Sequence, residues 1–493
     1  MSAAHRLGRR AVSGTFWVAG STYVGFVLNF VTNVWLMRLL APDLFGIFAL
    51  ALFFLGIFKK VGAFGFNYAL VHRQDDLERA VPTHLFLHLS ASALSVLLIL
   101  VAAPLLTPRY GSQMTTALIV MALFSVFEDA SNTPRIVLEK ELAFRQVSLL
   151  SMGNTLATSV LSIGIAYAGG GIWAIVARQA VNVVIGFIGY WAMSPVPFRV
   201  RFDREMIRWY IRFGAYIWVS GIATYLILEF DDFLVGTIAG SLALGFYNRA
   251  YRFSTLPTDV IGSVVGRVAF PIYSKLQNDR ERLSLAVHLI LRALSVLCLP
   301  ASVLLVLVAP QFTRILLGET WMPMVPLLQL LVVYSMLRPL YNATGELFAA
   351  VGSPRTSGLI QLAQAVLSVA ACPFAVWKFG ATGAAVVAGV VMTLGVVLAY
   401  TVAGRWIDVR YGKVFGVPAL AAVVGALATL EAERFLDRGM PWLDLLSRSA
   451  VFLAVFAAIL LPIEGRSLFE EFRYLRSQWE VGPVEGQEAG FGV

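Results

Sequence analysis

The chain has 493 residues, of which 58% are hydrophobic and 14% charged, with a net charge of +9. Soluble domains carry about 25% charged residues, so a mean hydropathy of +0.77 excludes an ordinary soluble enzyme and points to the bilayer. Two cysteines, Cys298 and Cys372, lie in apolar runs and five histidines are scattered, which gives neither a disulfide framework nor a metal-ligand spacing. The sequence has no Gly-rich phosphate loop, so ATP hydrolysis is not expected.

The N-terminal "HRLGRR" precedes an apolar stretch with no small-residue cleavage site, and reads as the approach to a retained first helix. Fourteen spans follow, at about 14–37, 44–70, 84–106, 113–133, 148–168, 171–193, 213–238, 241–268, 286–309, 325–349, 357–378, 381–404, 414–434 and 446–463. Each is near the ~20 residues that cross a hydrocarbon core as helix, which predicts an all-α polytopic membrane protein. With the N-terminus inside, 24 of the 38 Lys and Arg residues fall in cytoplasmic segments and seven in outer loops. That bias puts both termini in the cytoplasm.

The basic stretch "PVPFRVRFDREMIRWYIR" after the sixth span reads as a linker between halves that resemble each other. "FWVAG" at 16–20 matches "IWVSG" at 217–221, and "LFGIF" at 44–48 matches "ALGFY" at 243–247, at offsets of 201 and 199. The expected organisation is a six-helix lobe over 1–210, a second over 211–404, and two further helices with a cytoplasmic tail over 405–493. Repeated halves with a site between them are a transporter architecture. The terminal "SLFEEFRYLRSQW" reads either as an amphipathic helix on the membrane surface or as an unstructured tail.

Seven bases remain inside spans: Lys59, Lys60, Arg178, Arg249, Arg252, Arg267 and Arg338. At about 100° per residue, Arg249, Arg252, Asp259, Ser263 and Arg267 share an arc of about 80° on the eighth span. Tyr334, Arg338, Tyr341, Asn342 and Glu346 share about 140° on the tenth, and Ser125, Glu128, Asn132 and Arg135 about 80° on the fourth. On the seventh, Trp218, Tyr225, Glu229 and Asp232 align while Asp231 points away. Each such ion has two readings, a pair that fixes helix packing or the wall of a wet cavity. Glu128 with Arg135 and Arg252 with Asp259 are the candidate packing pairs, and Arg178 and Arg267 sit where they can snorkel. Asp231 and Asp232 read as cavity or outer mouth, whereas Lys59 and Lys60, central in "FFLGIFKKVGAFGF" with no acid within a turn, read as cavity lining.

Seven stretches in order, "RLLAPDLFGIFALA", "FGFNYALVHR", "LEKELAFR", "GGGIWAIVARQ", "EFDDFLVGTIAGSLALGFYNRAYRFSTLP", "AFPIYSKLQND" and "LGETWMPMVPLLQLL", resemble the Wzx-like polysaccharide flippases of the multidrug/oligosaccharidyl-lipid/polysaccharide (MOP) exporter superfamily. The resemblance covers about residues 10–400. It implies a V-shaped pair of six-helix lobes, MATE-like, that turns a lipid-linked oligosaccharide from the cytoplasmic to the outer leaflet. Many relatives carry an acid before the "G-x-G" of the second helix where this chain has Lys60, so an acidic role is not carried over.

Lysine and arginine are the usual partners of a diphosphate in a low-dielectric cavity. Lys59, Lys60, Arg249, Arg252 and Arg338, with Tyr341 and Asn342, are therefore the candidate diphosphate and sugar residues. Trp218, Tyr225 and Tyr334 offer further faces for sugars or for core packing. Glu128, Glu229, Asp232, Asp259 and Glu346 are the candidates for ion coupling. The reading expects no bound cofactor, an ion gradient or membrane potential as the energy source, and a functional monomer in the bacterial inner membrane. Its partners are the lipid-linked oligosaccharide, the bilayer, and a polysaccharide polymerase or glycosyltransferases, with no nucleic acid. Two alternatives stand beside it, an organic-cation efflux antiporter of the same superfamily and a membrane polysaccharide polymerase or ligase. The first span offers only Asn29 and Asn33 where efflux pumps commonly place an acid, and the outer loops are short for an enzyme.

Overall fold

The computed structural model describes residues 3–62, 64–73, 75–436 and 440–480; Arg438, counted above among the outer-loop bases, lies outside them. The helices are α1 (Ala3–Leu39), α2 (Pro42–Gly62), α3 (Phe66–His72), α4 (Leu77–Tyr110), α5 (Ser112–Lys140), α6 (Phe144–Tyr167) and α7 (Trp173–Met193). They continue as α8 (Arg204–Leu234), α9 (Ser241–Leu276), α10 (Arg280–Leu316), α11 (Val325–Ala350), α12 (Pro354–Ala403), α13 (Tyr411–Leu436) and α14 (Pro441–Glu480). No strand occurs among the described residues. Inside a bilayer each segment must satisfy its own backbone hydrogen bonds, and helix is how a single segment does so.

Among the described residues ten helices are long and apolar enough to cross a membrane, and the bent α8, taken as one span, makes an eleventh. The 50-residue α12 counts once among them, but Gly380 breaks it at φ 60° and ψ −143°. That break falls between the two spans expected at 357–378 and 381–404. The expected second span, 44–70, is also broken. α2 stops at Gly62, Gly65 takes φ 61°, a left-handed backbone that favours glycine, and α3 restarts at Phe66. α14 runs on as helix through "SLFEEFRYLRSQW", whose side chains lie outside the described residues.

The chain forms two compact units. The first contains Met1–Arg249, Leu316–Pro323 and Val369–Ala384, and the second Ala250–Ile315, Met324–Ser368 and Ala385–Val493.

In the first unit α2 and the start of α9 cross where neither has a side chain. A Cβ at Gly46 would overlap the Ser241 carbonyl, and a Cβ at Gly245 would overlap the Pro42 carbonyl. Pro42 and Ser241, like Gly46 and Gly245, are 199 residues apart, the offset of the second sequence match. The matched segments therefore pack on each other reciprocally, as two copies do across a two-fold axis. Trp321, fully buried, closes this corner: its indole N–H donates to the Met37 carbonyl at 2.6 Å, and its ring meets Phe45 and Phe246 edge-on. A second core (Phe66, Leu70, Val81, Ile136, Met206, Tyr210) packs α3, α4, α5 and the start of α8 together. Asp203 caps α8 by accepting from the Met206 N–H at 3.2 Å. The Arg79 guanidinium and that N–H hold its carboxyl below the usual aspartate range.

In the second unit a core of α9, α10, α11 and α12 residues includes Tyr273, Leu291, Leu347 and Ala399. α13 and α14 pack together through Ala421, Ala422, Phe456 and Leu460 against Val296 and Val303 of α10. Arg292, counted from sequence among the cytoplasmic bases, is buried in α10 and pairs with the buried Glu464 of α14 at 3.1 Å. Arg448 near the other end of that region of α14 binds Glu433 and donates to the Leu307 carbonyl at 3.3 Å. Removing one partner of a buried ion pair leaves an uncompensated charge that costs about 3–5 kcal/mol. Glu464→Ala should therefore lower the melting temperature of the purified protein sharply, and Arg292→Leu with Glu464→Leu should restore most of it. A double-leucine variant as unstable as the single one would show that the pair holds α14 by more than charge compensation.

Candidate functional site

The break at Gly62 decides where the two lysines stand. They occupy the last turn of a 21-residue, span-length helix, not the centre of a 27-residue one. At a helix C-terminus the unsatisfied carbonyls favour nearby cations, so the position offsets part of the cost of placing ammonium groups there. The acids that the sequence reading missed within a turn come from α5. Lys59 Nζ lies 2.7 Å from Glu128 Oε2 and 3.1 Å from Asp129 Oδ1. Asp129 also accepts from the Ser92 hydroxyl of α4.

Lys60 follows a different course, with its Nζ 6.0 Å from the centre of the Tyr225 ring. The aromatic residues expected to face sugars use their polar atoms to hold α2. Trp218 donates to the Lys60 carbonyl at 2.7 Å and stacks on Phe64, while the Tyr225 hydroxyl donates to the Phe53 carbonyl at 2.9 Å. Gly214 lies against the Phe64 carbonyl, and any Cβ there would overlap it, so α8 tracks the break closely.

Further along α8, neighbouring acids meet neighbouring residues of α9. Asp231 accepts from the Tyr247 hydroxyl and Asp232 from the Asn248 amide, both at 2.6 Å. Glu229 sits one turn before Asp232, half-buried. Arg249 places its guanidinium 4.8 Å from the centre of the Phe45 ring. Arg178, expected to snorkel, instead donates to the Asn29 side chain of α1.

The histidines that looked scattered include two that are not. His84 and His88, buried and one turn apart on α4, bring their ring centres to 4.4 Å. His84 Nδ1 meets the Thr133 hydroxyl at 2.8 Å, and His88 Nε2 donates to the Asn67 side-chain oxygen at 2.9 Å. With Ser92 they make an i, i+4, i+8 polar stripe on an otherwise apolar helix, and "HLFLHLSAS" carries that spacing in plain view.

In the second unit a cavity of about 680 Å³ gathers most of the remaining candidates. α9 contributes Asp259, Ser263 and Arg267, α11 contributes Arg338, Tyr341, Asn342 and Glu346, and α12 contributes Ser357 and Gln361. The arcs drawn from sequence for the eighth and tenth spans thus converge on one space. Arg338 and Asp259 form an ion pair across it at 3.3 Å. Arg252 is exposed and outside this lining. The two packing pairs considered from sequence do not form: Arg135 pairs with Glu139 at 2.9 Å, and Asp259 pairs with Arg338. Glu128–Arg135 and Arg252–Asp259 are seven residues apart, two helical turns or about 10 Å, whereas side-chain pairs on one helix need three or four. Among the described residues no group of three or more His, Cys, Asp or Glu side chains is arranged to hold a metal ion.

Span-length helices that carry ionised and hydrogen-bonded stripes on their packed faces define a polytopic membrane protein. Residues 35–326, more than half of the chain, match the polysaccharide biosynthesis protein family, and the chain belongs to that family. It is similar to the lipopolysaccharide biosynthesis protein WzxC of Escherichia coli K12, with 23% identity over 355 residues and 70% of each chain covered. It is also similar to the succinoglycan biosynthesis transport protein ExoT of Rhizobium meliloti, at 28% over 318 residues and 64% of each chain. The teichuronic acid biosynthesis protein TuaB of Bacillus subtilis is 28% identical over 292 residues, 58% of this chain and 60% of TuaB. The alignments with ExoT and TuaB thus span less than two thirds of those relatives. Among solved structures the fold matches the lipid II flippase MurJ in its inward closed conformation, with TM-score 0.74, 13% identity, and 93% of this chain and 100% of that one covered. An inward-facing MATE family multidrug transporter matches at TM-score 0.55 and 14% identity, over 78% of this chain and 95% of that one. The fold expected from the motifs is the one these solved structures share.

The Lys59–Asp129 contact makes a prediction that stability alone reads. In a double-mutant cycle of Lys59→Met and Asp129→Asn, melting in detergent should give a coupling of about 0.5–3 kcal/mol. Additive effects would show that the two side chains do not hold each other.

Proposed function

We propose that this protein is a flippase that moves a polyprenyl-diphosphate-linked oligosaccharide from the cytoplasmic to the outer leaflet of a bacterial inner membrane, by alternating access, for surface polysaccharide synthesis. The observation that supports it is the set of ionised faces on α2, α9 and α11 in a chain of the polysaccharide biosynthesis family. A diphosphate needs cationic partners once it leaves water. Lys59, Lys60, Arg249, Arg252 and Arg338 are the residues proposed to serve it. The mixed lining around Tyr341, Asn342 and Glu346 suits sugar hydroxyls, which donate and accept. In this reading the chain is a transporter, not a polymerase or ligase, and it works as a monomer beside the enzymes that build or polymerise the repeat unit. It binds no cofactor, and an ion gradient or the membrane potential drives it, with Glu128, Glu229, Asp232, Asp259 and Glu346 as candidate coupling acids.

Reconstituted into vesicles, the wild-type protein should accelerate the appearance of a fluorescent polyprenyl-diphosphate oligosaccharide in the opposite leaflet. Losing one charge-assisted contact costs about 1.5–3 kcal/mol, or about ten- to a hundredfold in affinity. Lys60→Ala should therefore slow transport at least tenfold, Lys59→Ala with Lys60→Ala should abolish it, and arginine at both positions should restore part. Wild-type rates in the double-alanine protein, at matched abundance, would remove the lysines from the substrate path.

Both termini are proposed to lie in the cytoplasm, on the distribution of Lys and Arg. Reporter fusions after Arg199 and Arg466 should read cytoplasmic and one within "TPRYG" at 107–111 should read outside. A periplasmic C-terminus would require an odd number of spans.

A further inference from the structure

Lys59 is one of the cations proposed to serve the diphosphate, yet two carboxylates already occupy it. Lys59 keeps 22% of its side chain exposed and Glu128 keeps 48%, while Asp129 keeps 14%. The ammonium is thus held by anions but not sealed from outside. Two carboxylates on one ammonium leave a net negative charge beside Lys59, and a diphosphate brought there would be repelled by the groups that now satisfy the lysine.

We propose that Glu128 and Asp129 are an internal stand-in for the substrate's diphosphate, and that the exchange of one for the other on Lys59 takes up protons onto these carboxylates. The inference rests on the flippase reading above and adds to it a specific chemistry for one cation. The three-centre geometry resembles what a diphosphate would present, two anionic oxygens within 3.1 Å of a single Nζ. When the diphosphate takes the lysine's N–H donors, Glu128 and Asp129 lose their counter-charge and face a new anion, and both changes favour their neutral forms. The protons come from solvent, through the exposed Glu128, and return to it when the diphosphate leaves. Binding linkage is reciprocal: if diphosphate raises the proton affinity of the pair, protons raise the affinity for diphosphate by the same factor.

The surrounding groups are compatible with this exchange. Lys60 stands beside Lys59 on α2, and α3 contributes the neutral amide of Asn67. His88 and His84 lie one and two turns from Ser92 on α4, and Ser92 donates to Asp129, so its hydroxyl can keep one hydrogen bond to that carboxyl in either protonation state. Arg135 and Glu139 are paired with each other further along α5, with Tyr190 of α7 beside Arg135. On α8, Tyr225 commits its hydroxyl to the Phe53 carbonyl, Glu229 and Asp232 lie further along the same helix, and Asp231 is bonded to Tyr247.

The test uses the full-length protein in lipid nanodiscs and bare polyprenyl diphosphate, without sugar, as the probe. Binding is followed by calorimetry over a pH series and in two buffers of different ionisation enthalpy, which separates proton uptake from binding heat. The probe's own phosphate titration is common to every variant, so the readout is the difference between variants. Wild-type protein should take up more protons per diphosphate bound than Glu128→Gln with Asp129→Asn. That double variant should bind about tenfold more tightly at neutral pH, the effect of one unit of linked proton affinity, with a flatter pH profile. Lys59→Arg should keep the proton uptake, and Lys59→Met should lose it. Equal uptake in wild type and double variant, with both binding, would overturn the stand-in while leaving the flippase reading intact. Failure of every variant, wild type included, to bind the probe at any pH would overturn both.

Discussion

Two glycines, Gly46 of α2 and Gly245 of α9, set the first unit's geometry because the backbones cross where neither has a side chain. In a bilayer, helices gain little from hiding apolar surface, so close backbone approach at small residues is a principal source of association. The crossing has consequences one turn away. Tyr247, Asn248 and Arg249 lie two to four residues beyond Gly245, and they meet Asp231, Asp232 and the Phe45 ring in turn. Any side chain at either glycine would push α9 outward and take these three contacts with it. Trp321 reinforces the corner from a short 3-10 segment, touching both helices next to the crossing.

The same unit shows how the chain tolerates charge within the membrane. No strong cation among Lys59, Arg178 and Arg249 is left to solvent alone: each meets carboxylates, an amide or an aromatic face on another helix. Partners come from neighbouring helices because a membrane helix can offer its own residues only at three- and four-residue spacing. The end of α2 shows the general arrangement. Its lysines use the helix terminus, the terminal Lys60 carbonyl accepts from Trp218, and the Phe53 and Phe58 carbonyls further back accept from Tyr225 and Ser95 of two other helices. A helix end tied to two neighbouring helices is a fixed point on which a lysine can be aimed.

Much of this was legible in the sequence. Length and apolarity gave the helical class, and the 199-residue offset between "LFGIF" and "ALGFY" marked two segments that turn out to touch. Helical phase brought Asp259, Ser263 and Arg267 onto one face and Arg338, Asn342 and Glu346 onto another, and both faces line the same cavity. What phase does not encode is which helix faces which. Lys59 has no acid nearby in sequence but has two from α5, and the pairs guessed at seven-residue spacing were beyond reach. The break at Gly62–Gly65 was hidden because "GAFG" reads as apolar, and apolarity does not distinguish a continuous span from one that turns. His84 and His88 were missed for a related reason: a count of histidines discards their spacing.

The quoted family motifs mostly encode packing. Gly46, Asp231, Tyr247, Asn248 and Trp321 all belong to those stretches, and each holds one helix against another. By contrast, several of the groups proposed to meet a substrate, Lys59, Lys60 and Asn342, stand outside every quoted motif. This division follows from what each task requires. A helix crossing admits few solutions, because a side chain at the contact is a steric overlap. A cavity wall admits many, since its chemistry depends on the ligand. A fold fixed by its crossings can keep its helices in place while its walls change cargo, so identity of fold says less about the substrate than the charges on α2, α5, α9 and α11 do.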